Sequence, residues 1–211
     1  MRREAITGIG AVTPIGNNIE EYWSGLKNGV CGIDFISRFD TEGFKVKLAA
    51  EVKNFDPAEY FESKSDLRKT DLFVQYAVAA AKQAVVDSGI EGTVESERLG
   101  VYVGSGIGGM NTFVDETLKF AEKGPGRVSP HFIPQMIGNM ASGTIAIKFN
   151  AKGPCLPVVT ACATSTHALG EAFRAIKHGY ADAIIAGGSE AAITPLAVAG
   201  FTNCKAFILS G

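Results

Sequence analysis

Residues 158–172 of the 211-residue chain read VVTACATSTHALGEA, a short apolar strand that passes into a helix rich in small residues, with Cys162 at the junction. A thiol at the start of a helix faces unsatisfied backbone N–H groups and the positive end of the helix dipole. Both favour a thiolate, the nucleophilic form of cysteine, and the same N–H groups can stabilise an oxyanion when a thioester is attacked. Because Ala161 and Ala163 leave room for a substrate, the stretch predicts a cysteine nucleophile on a strand-to-helix turn.

A buried, inert thiol is the alternative for Cys162, since most free cysteines behave as small hydrophobic residues. Position in the sequence alone does not separate the two interpretations. Cys31, Cys155 and Cys204 lack the strand-to-helix setting, and we expect them to be structural.

A cysteine nucleophile usually has a partner base. His167 lies five positions after Cys162, about 140° around the helix, and is expected to point elsewhere. His178 is expected to cap the end of that helix, and His131 lies in a predicted loop. The chain therefore offers no histidine that is well placed as the base.

Short apolar runs alternate with amphipathic stretches on both sides of this segment. The predicted strands are residues 5–10, 98–105, 156–160 and 183–188, and the predicted helices are residues 18–29, 66–89, 111–122, 135–149 and 165–179. Residues 35–61 have no clean period and are interpreted as an excursion over the core. The order predicts a layered α/β protein with right-handed crossovers and a mixed, mostly parallel sheet covered by helices.

The composition excludes several classes of protein. Hydrophobic residues make up 46% and charged residues 20%, with a net charge of −2, so no basic excess attracts nucleic acid. No uncharged stretch approaches the roughly 20 apolar residues that cross a bilayer, and the first residues carry no apolar signal core, which favours a cytoplasmic location. Four cysteines without C-x-x-C spacing and three histidines argue against a zinc site or a disulfide framework.

The sequence GSGIGG at residues 104–109 follows a predicted strand and matches the pattern G-x-G-x-x-G, which suggests dinucleotide binding as a rival function. That fingerprint normally opens a helix at once and is followed by an acidic residue at the end of the next strand. Here Asp115 and Glu116 fall inside a predicted helix. A tight turn at the strand end is the simpler interpretation.

A cluster of cations, Lys64, Arg68 and Lys69, opens the long predicted helix, and Lys123 and Arg127 flank a break at residues 124–126. Such clusters are usually solvated faces. The alternative is a docking patch for an acidic carrier or a phosphate group.

These segments together resemble the β-ketoacyl-acyl-carrier-protein synthases. The matching segments are TACATS at 160–165 with GEA at 170–172, TGIG at 7–10 with TPIG at 13–16, RKTD at 68–71, GSGIGG at 104–109, SPHFIP at 129–134, AGGSE at 186–190 and GF at 200–201. Thiolases share the fold but carry the nucleophile elsewhere in the chain, so they fit less well.

The resemblance implies a thiolase-like fold, in which two similar α/β halves make a five-layered protein and two subunits form a dimer through the strand that leads to the cysteine. Residues 1–211 would be a single αβα domain, an incomplete first half with the C-terminal half absent. The implied reaction is a decarboxylative condensation in fatty acid synthesis. An acyl chain moves from acyl carrier protein to the cysteine and then reacts with malonyl carrier protein, without a cofactor or a metal.

The resemblance also implies the roles of individual residues. Cys162 would be the acylated nucleophile and would supply an oxyanion-hole N–H. Ile107 and Phe201 would line the acyl channel, and Phe132 would close the pocket of the partner subunit. The residues expected to contact acyl carrier protein are Lys64, Arg68, Lys69 and Arg127.

The chain departs from the family in length, since a protein with both halves is about twice as long. In the family the second half carries two catalytic histidines, a lysine and a gating phenylalanine, and the last strand of the first half is expected beyond Gly211. The tail from Phe207 onward no longer follows the family pattern. The alternative function is therefore a catalytically incompetent half that folds, self-associates as a dimer or higher oligomer, or docks carrier protein.

Overall fold

The computed structural model describes residues 3–206, so the tail from Phe207 onward lies outside the described residues. The strands are β1 (Ile33–Phe35), β2 (Leu48–Ala50), β3 (Leu99–Gly104) and β4 (Ala183–Gly188). The helices are α1 (Ile19–Lys27), α2 (Lys64–Leu67), α3 (Leu72–Ser88), α4 (Met110–Lys123), α5 (Phe132–Met136), α6 (Met140–Lys148), α7 (Thr164–Lys177) and α8 (Pro195–Asn203). The predicted strands at 98–105 and 183–188 are confirmed, as are the helices at 18–29, 111–122 and 165–179, with ends moved by one or two residues.

The centre of the fold is the parallel pair β3–β4, which runs in register from Leu99 opposite Ala183 to Gly104 opposite Gly188. Successive side chains of a strand point to opposite faces. On one face Val101 and Val103 join a core cluster with α3 and α6. On the other face Tyr102 packs with the small residues of α7. The predicted α/β architecture, a sheet layered between helices, is confirmed.

The core helix α3 begins later than predicted. Its N-cap is Asp71, because the buried carboxylate of this residue accepts a hydrogen bond from the Phe73 N–H. The helix therefore starts at Leu72 and not at residue 66. Lys64 belongs to the separate short helix α2, whose N-cap is Ser63, and Arg68 and Lys69 follow its last residue. Gly89 ends α3 in the left-handed conformation, with φ of 61°.

The predicted strand at 156–160 is not formed as a continuous strand. Residues 154–156 make one parallel bridge to β3, through the Val101 N–H to Pro154 O (2.9 Å) and the Leu156 N–H to Val101 O (3.0 Å). Beyond that point Ser142 of α6 takes over the edge of β3, because its hydroxyl accepts from the Val103 N–H (2.9 Å) and donates to Val103 O (2.7 Å). The ladder stops where a side chain replaces the neighbouring strand.

The predicted strand at 5–10 is also wrong. Backbone donors of this segment bind side chains of α3 instead of a strand: the Ile9 N–H donates to Asp87 Oδ2 (2.9 Å) and the Ala11 N–H donates to Gln83 Oε1 (3.1 Å). An apolar groove of about 310 Å³, lined by residues of this segment, α3, α7 and β4, lies beside it. Within residues 3–206 β4 pairs only with β3, so the other edge of β4 is unpaired and residues 5–10 do not hydrogen-bond to it.

Two predicted helices differ in extent. The helix expected at 135–149 is two helices, α5 and α6, because the Met136 carbonyl at the break accepts from the Gly109 N–H (2.9 Å) rather than from a helical donor. Helix α8 was not predicted, although Thr194 caps it and Pro195 occupies its first turn.

The excursion at 35–61 contains β2, which pairs antiparallel with β1, the strand that ends where the excursion begins. It is tied down by the buried carboxylate of Glu51, which accepts from the Ser37 hydroxyl (2.7 Å) and from the Ser37 and Arg38 backbone N–H groups. Burial opposes ionisation of Glu51, but these hydrogen bonds outweigh it and lower the pKa of the carboxyl group.

Candidate active site

The strand-to-helix corner is built from a tight turn. A short 3-10 turn, Ala161–Ala163, joins the chain at Thr160 to α7. Ala161 lies in the left-handed region, with φ of 51°, a conformation that costs a residue with a Cβ about 1–2 kcal/mol. Two hydrogen bonds hold it: the Ala163 N–H donates to Thr160 O (3.1 Å) and the Thr160 N–H donates to Thr164 Oγ1 (2.9 Å).

Cys162 is exposed at this corner. Helix α7 starts at Thr164, and no side chain caps its first turn. The Thr164 N–H itself donates to Ala161 O, which closes the preceding 3-10 turn. The thiol lines a cavity of about 440 Å³, which also contains Ile107 from the loop after β3 and Phe201 from α8. The structure thus brings into one cavity three residues that are far apart in the chain.

Glycines make the corner possible. A Cβ on Gly104 would lie 1.9 Å from Val158 O and 2.5 Å from Thr164 Cγ2, and a Cβ on Gly188 would lie 3.0 Å from Ser165 Cβ. The carboxyl ends of β3 and β4 therefore accept α7 only because they carry no side chains there.

The GSGIGG loop is held by a carboxylate that the sequence analysis did not single out. Glu190 Oε2 accepts from the N–H groups of Gly106 (2.9 Å) and Ile107 (3.1 Å), and Glu190 Oε1 accepts from Ser105 Oγ (2.9 Å). The amides that a dinucleotide phosphate would need are thus bonded to an internal anion, which argues against the rival function. The spacing of AGGSE directly after a buried strand was the only available signal for Glu190.

The other cysteines lie outside this cavity. Cys155 is exposed as a residue, but desolvation around its sulfur raises the pKa of its thiol and so disfavours its nucleophilic form. Cys31 and Cys204 are exposed in the loop after α1 and at the end of α8.

The histidines are distributed as follows. His167 was expected to point elsewhere, but its ring reaches back to the corner. Its Nδ1 is hydrogen-bonded to Oγ1 of Thr160 (2.8 Å), which lies two residues before Cys162. His178 is the C-cap of α7, as predicted. His131 precedes α5 and lines a surface depression with Arg68 and Lys69.

The predicted docking cations fall into two groups. Lys64, Arg68 and Lys69 are exposed on or beside α2, where Lys69 Nζ pairs with Asp66 Oδ1 at 3.0 Å. Arg127 lines a separate depression with Lys119 and Lys123. The predicted partner-pocket residue, Phe132, opens α5 and is half-buried, away from the residues that line the Cys162 cavity.

Membrane-spanning helices and metal-binding clusters are both absent from residues 3–206. No helix in this range is long and apolar enough to span a membrane. No group of three or more histidine, cysteine, aspartate or glutamate side chains in the same range could hold a metal ion.

Comparison with known proteins decides the family. Residues 1–210 match the family model of the β-ketoacyl synthase N-terminal domain. The chain belongs to the β-ketoacyl synthase family. It is 47% identical over 206 residues to 3-oxoacyl-[acyl-carrier-protein] synthase 2 of Staphylococcus aureus (strain COL), an alignment that covers 97% of this chain and 50% of that relative. The chain therefore spans about half the length of the curated relatives it matches.

Solved structures agree on the fold. The ishigamide ketosynthase/chain length factor matches with a TM-score of 0.87 at 31% identity and covers 97% of this chain and 51% of its own. A β-ketoacyl synthase from Burkholderia phymatum STM815 matches with a TM-score of 0.86 at 28% identity, covering 99% and 52% of the two chains. The predicted thiolase-like fold is confirmed for this β-ketoacyl synthase domain.

The strained turn before the nucleophile gives a testable consequence. Replacing Ala161 by glycine removes the Cβ from a left-handed residue and should raise the free energy of unfolding or leave it unchanged, whereas valine should lower it by about 1–2 kcal/mol or more. Urea denaturation of the two variants measures the difference. The matched control is Ala163→Gly and Ala163→Val, at a neighbouring residue with φ of −89°, where glycine has no such advantage. Equal responses at both positions would contradict a strained turn.

Proposed function

We propose that this domain carries the nucleophilic cysteine of a 3-oxoacyl-[acyl-carrier-protein] synthase of fatty acid biosynthesis. The observation that carries the proposal is the exposed Cys162 at the uncapped start of α7, in one cavity with the apolar side chains of Ile107 and Phe201. Membership of the family and the similarity to the Staphylococcus aureus synthase support it. With acyl carrier protein as the partner, the proposed location is the cytoplasm.

In the first step the Cys162 thiolate attacks the carbonyl carbon of an acyl-carrier thioester. The tetrahedral oxyanion is stabilised by backbone N–H groups at the corner, including that of Cys162. The carbon–sulfur bond to the carrier then breaks, and the carrier leaves as a thiolate that takes up a proton. Ile107 and Phe201 would hold the acyl chain, which is apolar and matches the apolar lining of the cavity.

In the second step malonyl carrier protein loses carbon dioxide, and the carbanion left at C2 attacks the acyl carbonyl on Cys162. The new carbon–carbon bond forms as the bond to the Cys162 sulfur breaks. The developing enolate needs hydrogen-bond donors. The resemblance assigns these donors to two histidines of the second half of the family fold.

We propose that residues 1–211 form one domain that pairs with a second half. The apolar groove between the N-terminal segment, α7 and β4 supports this proposal, because Leu169 (46% exposed) and Phe173 (47% exposed) face it instead of a packed core. The alternative is a folded half without turnover. Carbon dioxide release separates the two.

The experiment that tests the function follows acyl transfer by mass spectrometry. Incubation with an acyl-carrier thioester should add one acyl group to Cys162, and Cys162→Ser should reduce the adduct by at least about 100-fold, since a serine hydroxyl at neutral pH is a far weaker nucleophile than a thiolate. Cys204→Ser, at another exposed cysteine, is the control and should acylate like the unmodified protein. A folded protein that takes up no acyl group would overturn the proposal. Acylation without carbon dioxide release from malonyl carrier protein would instead identify the incompetent half.

A homodimer is proposed through the segment that leads to the corner. Leu156 (53% exposed) and Val159 (59% exposed) form an uncovered apolar edge beside β3, and such edges pair with other chains. The resemblance assigns the subunit interface to the same segment. Phe132 would then reach the pocket of the partner subunit.

Light scattering tests this assembly. The unmodified protein should have the mass of two or more chains, and Val159→Lys should lower it toward one chain because a buried ammonium group is costly. Val86→Lys, at an exposed valine of α3, is the matched control and should leave the mass unchanged. A single-chain mass for the unmodified protein would contradict a dimer.

Acyl carrier protein is proposed to dock on Lys64, Arg68, Lys69 and Arg127. The backbone of this region is ordered by the Gln135 side chain, whose Nε2 donates to Arg68 O (2.9 Å) and joins α5 to the end of α2. An acidic carrier would be attracted by these four cations and oriented toward the cavity.

Charge reversal tests the docking surface. Arg68→Glu should weaken binding of acyl carrier protein by about ten-fold at low salt, with a smaller effect at high salt because exposed charges are screened. Titration calorimetry at two salt concentrations measures both values. Lys47→Glu, at an exposed cation of the excursion next to β2, is the control. Equal losses in both variants would show a general charge effect and no docking site.

A further inference from the structure

The wall of the Cys162 cavity opposite the helix start is a loop held by one side chain. Glu190 lies two residues beyond β4, and its carboxylate receives three hydrogen bonds from the loop after β3. Two come from consecutive backbone N–H groups, at Gly106 and Ile107, and both reach Oε2. The third comes from the Ser105 hydroxyl and reaches Oε1.

Hydrogen bonds also hold the rest of this loop, up to Gly109. The Gly108 N–H donates to Ser105 Oγ (2.9 Å), so the hydroxyl that donates to Glu190 also accepts from the loop. The Gly109 N–H donates to Met136 O (2.9 Å). Every backbone N–H from Gly106 to Gly109 therefore has an acceptor, and two of the four depend directly on Glu190.

The fit between carboxylate and loop is close. A Cβ on Gly106 would lie 2.8 Å from Glu190 Oε2 and 3.5 Å from Ala161 Cα, so a larger residue would push the carboxylate away or crowd the corner. Ile107, the next residue, is 42% exposed and lines the cavity that contains Cys162. The orientation of its side chain follows from a backbone that Glu190 fixes.

We propose that Glu190 is a positioning residue that sets the acyl-chain preference of the pocket by holding Ile107 against the chain. This inference rests on the proposed function and adds a residue and a property to it. Glu190 acts through the loop and takes no part in bond making at the sulfur. Because its two oxygens are occupied by the loop, the carboxylate can border an apolar chain without an unpaired charge directed at it.

Removal of the carboxylate should loosen the wall without disabling the nucleophile. In Glu190→Ala the ratio of Cys162 acylation by dodecanoyl-carrier to acylation by butyryl-carrier should fall by about ten-fold, the low end for a lost methylene contact in an apolar pocket. Alkylation of Cys162 by iodoacetamide, which needs no pocket wall, should keep its rate. Glu190→Gln retains an oxygen that can accept from Gly106 and Ile107 and should restore most of the ratio. Glu171→Ala removes another exposed carboxylate, on α7, and serves as the control.

Hydrogen exchange gives a readout that does not depend on acyl transfer. The amides of Gly106 and Ile107 should exchange at least about ten-fold faster in Glu190→Ala than in the unmodified protein. If Glu190→Ala does not fold, Gly106→Ala displaces the same carboxylate from the loop side and should produce the same change in ratio and exchange. Unchanged exchange together with an unchanged ratio would overturn the inference. Glu190-dependent exchange in a protein that accepts no acyl group from either donor would overturn the proposed function instead.

Discussion

The site depends on a close approach that only two glycines permit. Gly104 and Gly188 face each other at the carboxyl ends of the parallel strands β3 and β4. Their missing side chains leave the space in which residue 158 and the first turn of α7 pass. Any Cβ at Gly104 would overlap a carbonyl oxygen, so the position of the corner above the sheet is dictated by sterics before any chemistry is considered.

This close approach explains why residues from distant parts of the chain meet. The loops that follow β3 and β4 emerge at the same edge of the sheet, as they must in a parallel pair. One loop supplies Ile107, the other supplies Glu190, and the 3-10 turn before α7 supplies Cys162 to the same cavity. The carboxylate of Glu190 is bound by loop amides, whereas no side chain caps the start of α7 near Cys162. The loop amides are therefore occupied by a side chain of the protein itself.

The packing of α7 shows how the domain relates to a larger protein. Its alanines, Ala168, Ala172 and Ala175, are buried against the sheet, while its larger apolar residues face the groove. Small residues let the helix sit close to the strands, and the large ones are left for a second surface. The length of the curated relatives, about twice that of this chain, agrees with the proposal that further polypeptide covers this groove.

The sequence alone determined the features that depend on neighbours along the chain. The strand at 183–188, the end of α3 at Gly89 and the turn that carries Cys162 follow from apolar runs and turn residues. The motif residues were sufficient to identify the family, because their types and spacing recur in its members.

Only the tertiary structure decided which distant residues serve as hydrogen-bond partners for these local segments. Residues 5–10 have the composition of a strand, but the N–H groups of Ile9 and Ala11 donate to side chains of α3 instead of to a neighbouring strand. Ser142 ends the ladder beside β3, and Glu190 occupies the glycine loop, through contacts that join residues about 40 and 84 positions apart. Such pairings depend on where the chain folds back, and the amphipathic period of one segment carries no information about its distant partner.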